Sequence, residues 1–297
     1  MSVLKKLRHD WVLYVMLAPP LTYFIIFHVI PIIGMRLAFQ DYRIIGDNVW
    51  VGFKHFEVLF SSPAFMNVIK NTLIISAMKM IFGFPIPIML AILVNEVSNR
   101  YFRKYVQSII YLPHFLSWVV IAGIWIGLLS PTEGAINLIA NFFGIPSIDY
   151  MTSKEHIRWV FVISEIWRSA GWDSIIFLAA IMKISPGLYE AAKIDGAGRI
   201  QSMIHITLPQ LYGTIVTVFI LNLGFFMSAG FDQVFNMMND SVISVVDILD
   251  TYVYRIGIVN GQFAYSTAAS LFKGAIGIVL ILGTHFTSKR LTGRGLW

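Results

Sequence analysis

No cysteine occurs among the 297 residues, and only 13% of them are charged. The first absence excludes disulfides, thiol nucleophiles and thiolate metal sites. The second excludes an ordinary soluble surface, for which about a quarter of the residues would be charged. A phosphate-binding loop is missing as well: Gly is never followed directly by Lys, so G-x-x-x-x-G-K-[ST] cannot be written. Any ATP hydrolysis must come from another chain. H-E-x-x-H is absent, and the 7 histidines are dispersed, the pattern of packing and surface residues. No catalytic residue and no metal ligand is assigned. A net charge of +6, scattered along the chain, gives no basis for nucleic-acid binding.

What is present is apolar. Hydrophobic residues make up 57% of the chain and recur in runs near the ~20 residues that cross a bilayer. Six spans account for the pattern, at residues 11–35, 71–94, 107–129, 159–182, 210–230 and 264–287, so the fold class is an all-α, polytopic membrane protein. The first run follows Lys5, Lys6 and Arg8, contains His28 but no Asp, Glu, Lys or Arg before residue 36, and is too long for a signal-peptide core. It reads as a retained span. An even number of crossings puts both termini on one side. The segments on that side hold twelve Lys and Arg against seven on the other, with four acids against ten. The positive-inside rule then places both termini, and the loop around Glu190, in the cytoplasm. The external connections, near residues 36–70, 130–158 and 231–263, are too polar to span and suit short interfacial helices.

The loop between the fourth and fifth spans carries the most pattern. Ser185-Pro186 is a helix start, with Pro in the first turn, and Gly196 is a helix stop. A second short helix is expected from Ala197 to Thr207, stopping at Pro209. Two short helices joined at a glycine make a compact knob. From spacing alone, the knob either enters a cleft on a soluble partner or rests as an amphipathic loop on the headgroups.

The run from Glu190 to Leu211, EAAKIDGAGRIQSMIHITLPQL, resembles the EAA signature of ABC importer permeases. Glu190-Ala191-Ala192, then Gly196 four residues on, then Ile206-Thr207-Leu208-Pro209 match its spacing. The resemblance implies a type I importer permease fold in which the knob is a coupling helix. Glu190, Ala191, Ala192, Asp195 and Gly196 would form the docking turn on a partner ABC ATPase dimer, and Leu208 and Pro209 the return into the membrane. Pro31 to Tyr42, Val94-Asn95-Glu96-Val97, Tyr111-Leu112-Pro113-His114-Phe115 and Gly295-Leu296-Trp297 are similar to maltose-type carbohydrate permeases, in the branch associated with complex oligosaccharides. The resemblance implies a second, unlike permease subunit, an extracytoplasmic solute-binding protein and an oligosaccharide substrate. ATP and Mg would be used by the ATPase, with no cofactor bound by this chain. Residues 1–70 would hold a tail, the first span and an external segment. Residues 71–288 would be a five-helix core with the coupling loop at 184–209, and residues 289–297 a cytoplasmic tail.

Lys79, Glu165, Arg168, Asp173 and Lys273 fall within spans. Each costs about 2.5–3.5 kcal/mol at mid-membrane, so each should face protein or water. Glu165 and Arg168 are three apart on one helix and can pair. Asp173 lies about 80° around that helix from Glu165 and can face a pathway on its own. Lys79 alone would snorkel toward an interface. Three cations against two acids suggest a surplus charge that helps acidic sugars such as uronides to pass. Trp167 and Trp172 could stack on sugar rings or sit as core and belt residues. Asn222 could contact substrate or bond between helices. Pro85 and Pro87 should bend the second span, and Gly123 and Gly127 are spaced for close helix contact. An ion-coupled sugar carrier, with Glu165 and Asp173 as ion sites, is the rival reading, but it has no need of the Glu190 loop.

Overall fold

A computed structural model describes residues 9–292. The tail cations Lys5, Lys6, Arg8 and Arg294 and the terminal Gly295-Leu296-Trp297 lie outside the described residues, as does the side chain of Arg290. The chain divides into two compact units, Met1–Ser62 with Val253–Phe272 and Pro63–Tyr252 with Lys273–Trp297.

The first unit opens with α1 (Trp11–Phe24), a π turn (Ile25–Val29), α2 (Ile30–Gly34) and a 3-10 turn (Met35–Phe39). This 29-residue run is long and apolar enough to cross a membrane, and no residue of α1 or α2 is buried. Two short strands follow, β1 (Gln40–Asp41) and β2 (Val49–Trp50), paired antiparallel with Gln40 opposite Trp50. Phe39 stacks on Trp50 and meets Phe53 and Phe56 at ring distances of 5.4 and 5.5 Å, which packs the turn against α3 (Lys54–Ser61).

The second unit holds α4 (Pro63–Met78), a π turn (Lys79–Gly83) and α5 (Pro85–Glu96), together one run of 34 residues. Next come α6 (Arg100–Tyr111), a 3-10 turn (Leu112–Phe115), α7 (Trp118–Leu128), the short α8 (Ala135–Phe142) and the 25-residue α9 (Ile157–Ile181). The loop helices α10 (Pro186–Ile194) and α11 (Arg199–Ser202) lead through a π turn (Met203–Thr207) into α12 (Leu208–Gly224). Three short helices follow, α13 (Phe231–Met237), α14 (Ile243–Val246) and α15 (Leu249–Tyr254). From Val253 the chain belongs to the first unit, with a π turn (Arg255–Val259) and the start of α16 (Phe263–Thr292) as far as Phe272, and the rest of α16 to the second.

Among the described residues, four helical runs meet the length and apolarity of a crossing, and six do so if each of two bent pairs counts as one. The run expected at 107–129 is not one rod. It breaks between Phe115 and Trp118 with a bend of 104°. Pro113 sits in the 3-10 turn, and Ser117 caps α7 by accepting from the Val120 N–H at 3.4 Å, so the chain restarts as a new helix. The fifth run ends at Gly224, six residues before its expected limit.

Among the described residues, three of the four π turns end two residues before a proline, at Pro31, Pro85 and Pro209. A proline lacks an N–H and clashes with the carbonyl four residues back. A turn widened by one residue moves that carbonyl aside and lets the helix continue. This corrects the expected stop at Pro209: α11, the π turn and α12 form one helical run, Arg199–Gly224. Pro85 is accommodated in the same way.

Among the described residues, two apolar clusters help to pack the second unit. One joins Ile75, Leu129, Ile157, Phe161, Val234 and Met237 among others. The second joins Ala91, Phe177, Ile181 and Leu211 and so ties α5, α9 and α12 together. α6 approaches α9 most closely at Gly171, where a β-carbon would overlap the Ile110 carbonyl. The close contact expected at Gly123 and Gly127 is not made among the described residues, since a β-carbon at either would meet nothing within 4 Å. Gly171→Val should therefore lower the thermal midpoint of the detergent-solubilised protein by about 5 °C or more, while Gly123→Val leaves it within about 1 °C. Equal midpoints for the two variants would remove Gly171 as the point of closest approach.

Candidate functional site

The second unit carries a half-open cavity of about 730 Å³. Its wall comes from the π turn at Lys79–Gly83 with Phe84 and Pro87, from α9, from α12 and from residues 225–230. Five of the eight candidate pathway residues line it: Lys79, Glu165, Trp172, Asp173 and Asn222. Trp167, Arg168 and Lys273 do not.

Lys79 is the electrostatic centre of the wall. Its Nζ donates to the Ala229 carbonyl at 2.7 Å and to Gln233 Oε1, and lies 3.5 Å from Glu165 Oε2. Gln233 is fully buried and donates in turn to the Phe161 carbonyl at 2.7 Å and to Ser164 Oγ at 2.8 Å. Ser169 Oγ donates to Glu165 Oε1 at 2.8 Å. One ammonium thus ties the π turn, α9 and the segment leading into α13. Gly230 makes room for it: its φ is +96°, and a β-carbon there would stand 3.0 Å from the Lys79 Nζ.

Three expectations change here. Lys79 does not snorkel outward, because three acceptors surround its head inside the protein and a fully satisfied ammonium has no reason to seek an interface. Glu165 pairs with Lys79 and not with Arg168. The Arg168 guanidinium lies 5.1 Å over the Trp118 ring, and its buried Nε has no hydrogen-bond partner. The surplus of intramembrane cations is also redistributed, since Lys273 pairs with Asp250 at the start of α15.

The aromatic candidates separate. Trp172 stacks on His114 at 4.6 Å, edge-packed by Phe115 at 5.5 Å, and lines the cavity. Trp167 packs edge-on against Trp125 at 6.3 Å and remains exposed outside the cavity. Gln233 was not singled out from sequence. It falls in a polar connection, and nothing local marks it as the partner of a lysine 154 positions earlier.

The loop candidates form one exposed structure. Pro186 occupies the first turn of α10, and Gly196, with φ +81°, reverses the chain after it. The N–H of Gly196 bonds to the Lys193 carbonyl at 3.2 Å and that of Ala197 to the Ala192 carbonyl at 2.8 Å, which is a Schellman closure. The Gly198 N–H donates to Gln201 Oε1 at 2.8 Å and starts α11. Tyr189 OH and Thr207 Oγ1 lie 2.9 Å apart, pinning α10 to the base of α12. Glu190, Ala191, Asp195, Gly196, Leu208 and Pro209 are exposed, Ala192 is half-buried, and Ile194 stands out with 87% of its surface open.

A cavity between helices that lead straight into an exposed, glycine-closed knob has a counterpart among known proteins. The family described as "binding-protein-dependent transport system inner membrane component" matches residues 83–292. This chain belongs to that family. The polygalacturonan/rhamnogalacturonan transport system permease protein YteP of Bacillus subtilis (strain 168) is 43% identical, over 99% of this chain and 93% of its own length. Protein LplB of the same organism is 40% identical over 100% of this chain and 94% of its own. Among solved structures, a chain of a bacterial alginate ABC transporter in complex with an alginate pentasaccharide-bound periplasmic protein superposes with a TM-score of 0.92. It has 39% identity and full coverage of both chains. The permease is thus an integral membrane protein with an ABC importer fold and, like these relatives, is a transport subunit and not an enzyme, as the EAA-type segment implied.

Replacing Gln233 by Leu in the permease should cost about 2 kcal/mol, because the Lys79 ammonium and the Phe161 carbonyl both lose a buried partner. A thermal midpoint equal to that of the unaltered protein would show that water takes over those bonds at no cost.

Proposed function

We propose that this permease forms part of the pathway of an ATP-driven importer for acidic oligosaccharides of the uronide type. The observation that carries the reading is end-to-end similarity to a permease named for polygalacturonan/rhamnogalacturonan transport and to a chain of an alginate ABC transporter, together with a cavity lined by Lys79, Trp172, Asp173 and Asn222. Trp172 offers an aromatic surface to sugar C–H faces, and Asn222 and Asp173 offer partners for hydroxyls. The simple count of intramembrane charges does not support the reading, since the lining holds one ammonium and two carboxylates. Any preference for uronates rests on how those groups are arranged.

In this reading a solute-binding protein delivers the sugar from outside, and a second permease chain completes the channel. Both termini and the knob face the cytoplasm of a bacterial cell membrane, where an ABC ATPase dimer uses ATP and Mg. Glu190, Ala191, Ala192, Asp195 and Gly196 form the docking turn. Leu208 and Pro209 pass its movement to α12, while α9 enters the knob directly at Ser185. The cluster of Ala91, Phe177, Ile181 and Leu211, between cavity and knob, is where that movement reaches the pathway.

Three measurements test this. The complex reconstituted with its binding protein should take up oligogalacturonate only with ATP inside, and uptake by this chain alone would end the proposal. The absence of cysteine makes Ile194→Cys a clean reporter, which a membrane-impermeant maleimide should label from the cytoplasmic face and not from outside. Gly196→Val forces a β-branched residue to φ +81°, at a cost of about 1–2 kcal/mol within the turn. Membrane insertion should survive, and substrate-stimulated ATPase should fall severalfold. Undiminished stimulation would disconnect that turn from coupling.

A further inference from the structure

We infer that Glu165 is a resident carboxylate shared between two cations, and that its turning from Lys79 to Arg168 frees the Lys79 ammonium to receive a carboxylate of the transported sugar. This rests on the proposed uronide pathway and names the residue that reads the charge.

An ammonium has three donors. Two of those on Lys79 are engaged by fixed acceptors. The Ala229 carbonyl, at 2.7 Å, belongs to the backbone. Gln233 Oε1 is locked by the two bonds its amide makes, to the Phe161 carbonyl and to Ser164 Oγ. The third partner, Glu165, stands at 3.5 Å, the longest of the set, on a side chain that can rotate. Glu165 is therefore the exchangeable ligand. Lys79 and Glu165 both line the cavity, so a solute there reaches the ion pair directly.

Glu165 has somewhere to go. Arg168 sits three residues along α9, within side-chain reach on the same helix face. Its Nε is buried without a hydrogen-bond partner, and among the described residues no carboxylate lies within salt-bridge distance of its guanidinium. The Ser169 hydroxyl holds Glu165 Oε1 at 2.8 Å and can act as the pivot. With the cavity empty, Lys79, Glu165 and Arg168 carry two positive charges and one negative. An incoming uronate completes two pairs, Lys79 with sugar and Arg168 with Glu165. A neutral sugar gives Glu165 no reason to move. Asp173, also on the lining, repels a second anion and keeps the hold weak enough for release, as a conducting path requires.

The test compares uptake of trigalacturonate with its carboxyl-reduced, neutral counterpart by the assembled complex in proteoliposomes. Discrimination by the binding protein is common to all variants, so changes in the uptake ratio report on the permease. Lys79→Met combined with Glu165→Gln removes both charges of the pair together, so neither is left without its partner. Arg168→Gln removes the alternative partner. Each should lower the acidic-to-neutral ratio at least about fivefold, and Glu165→Gln alone should raise it about threefold. A ratio within about twofold of the unaltered complex for Arg168→Gln, which decides alone if the double variant fails to assemble, overturns the inference. So does a fall for Glu165→Gln. If the unaltered complex takes up the neutral sugar but no trigalacturonate, the uronide reading itself fails and this inference with it. Normal acidic uptake with unmoved ratios sinks only the inference.

Discussion

Lipid offers no partner to a backbone N–H or carbonyl, so every irregularity in a membrane helix has to be absorbed within the helix or against protein. This permease carries prolines in the helical runs at Pro31, Pro85 and Pro209, and a π turn precedes each. The widened turns do more than rescue backbone bonds. The turn at Lys79–Gly83 carries its first side chain into the wall of the cavity, and the turn at Met203–Thr207 carries Thr207 to the hydroxyl of Tyr189. Both the polar centre of the cavity and the attachment of the knob therefore sit on accommodated prolines.

The Lys79 clasp follows from the same constraint. A buried charge persists in an apolar surrounding only when its donors are satisfied. Here an ammonium from the second apolar run is satisfied by a carboxylate on α9, a backbone carbonyl at Ala229 and the amide of Gln233, with the left-handed Gly230 allowing the approach. The preference order is visible in the geometry. Neutral, rigid acceptors take the short bonds, and the flexible carboxylate takes the long one.

Sequence periodicity and charge placement were enough to reveal the apolar runs, the knob and its glycine turn, because each depends on residues close together in the chain. Ser185-Pro186 and Gly196 act locally, and they bound α10 as expected. The partners of the intramembrane charges were not legible. Glu165 with Arg168 was the natural pair by helical spacing, yet Lys79, 86 positions away, takes the carboxylate. Lys273 with Asp250 and Lys79 with Gln233 likewise join distant segments, and no single-sequence pattern encodes such meetings. The split of the third run at Ser117 was hidden for a different reason: a cap residue inside a uniformly apolar stretch changes direction without changing hydropathy.

The bond between Tyr189 and Thr207 has a mechanical meaning. It joins α10 to the foot of α12 across 18 positions of sequence. From Thr207 to Asn222 is 15 residues, about 22 Å along a helix axis. Seen as a crank, a tilt of about 10° at the foot sweeps the far end through roughly 4 Å, close to the width of one water shell. In the proposed coupling, a hydroxyl pair at that pivot would turn a small rocking of the knob into a displacement large enough to change what the chamber wall can hold.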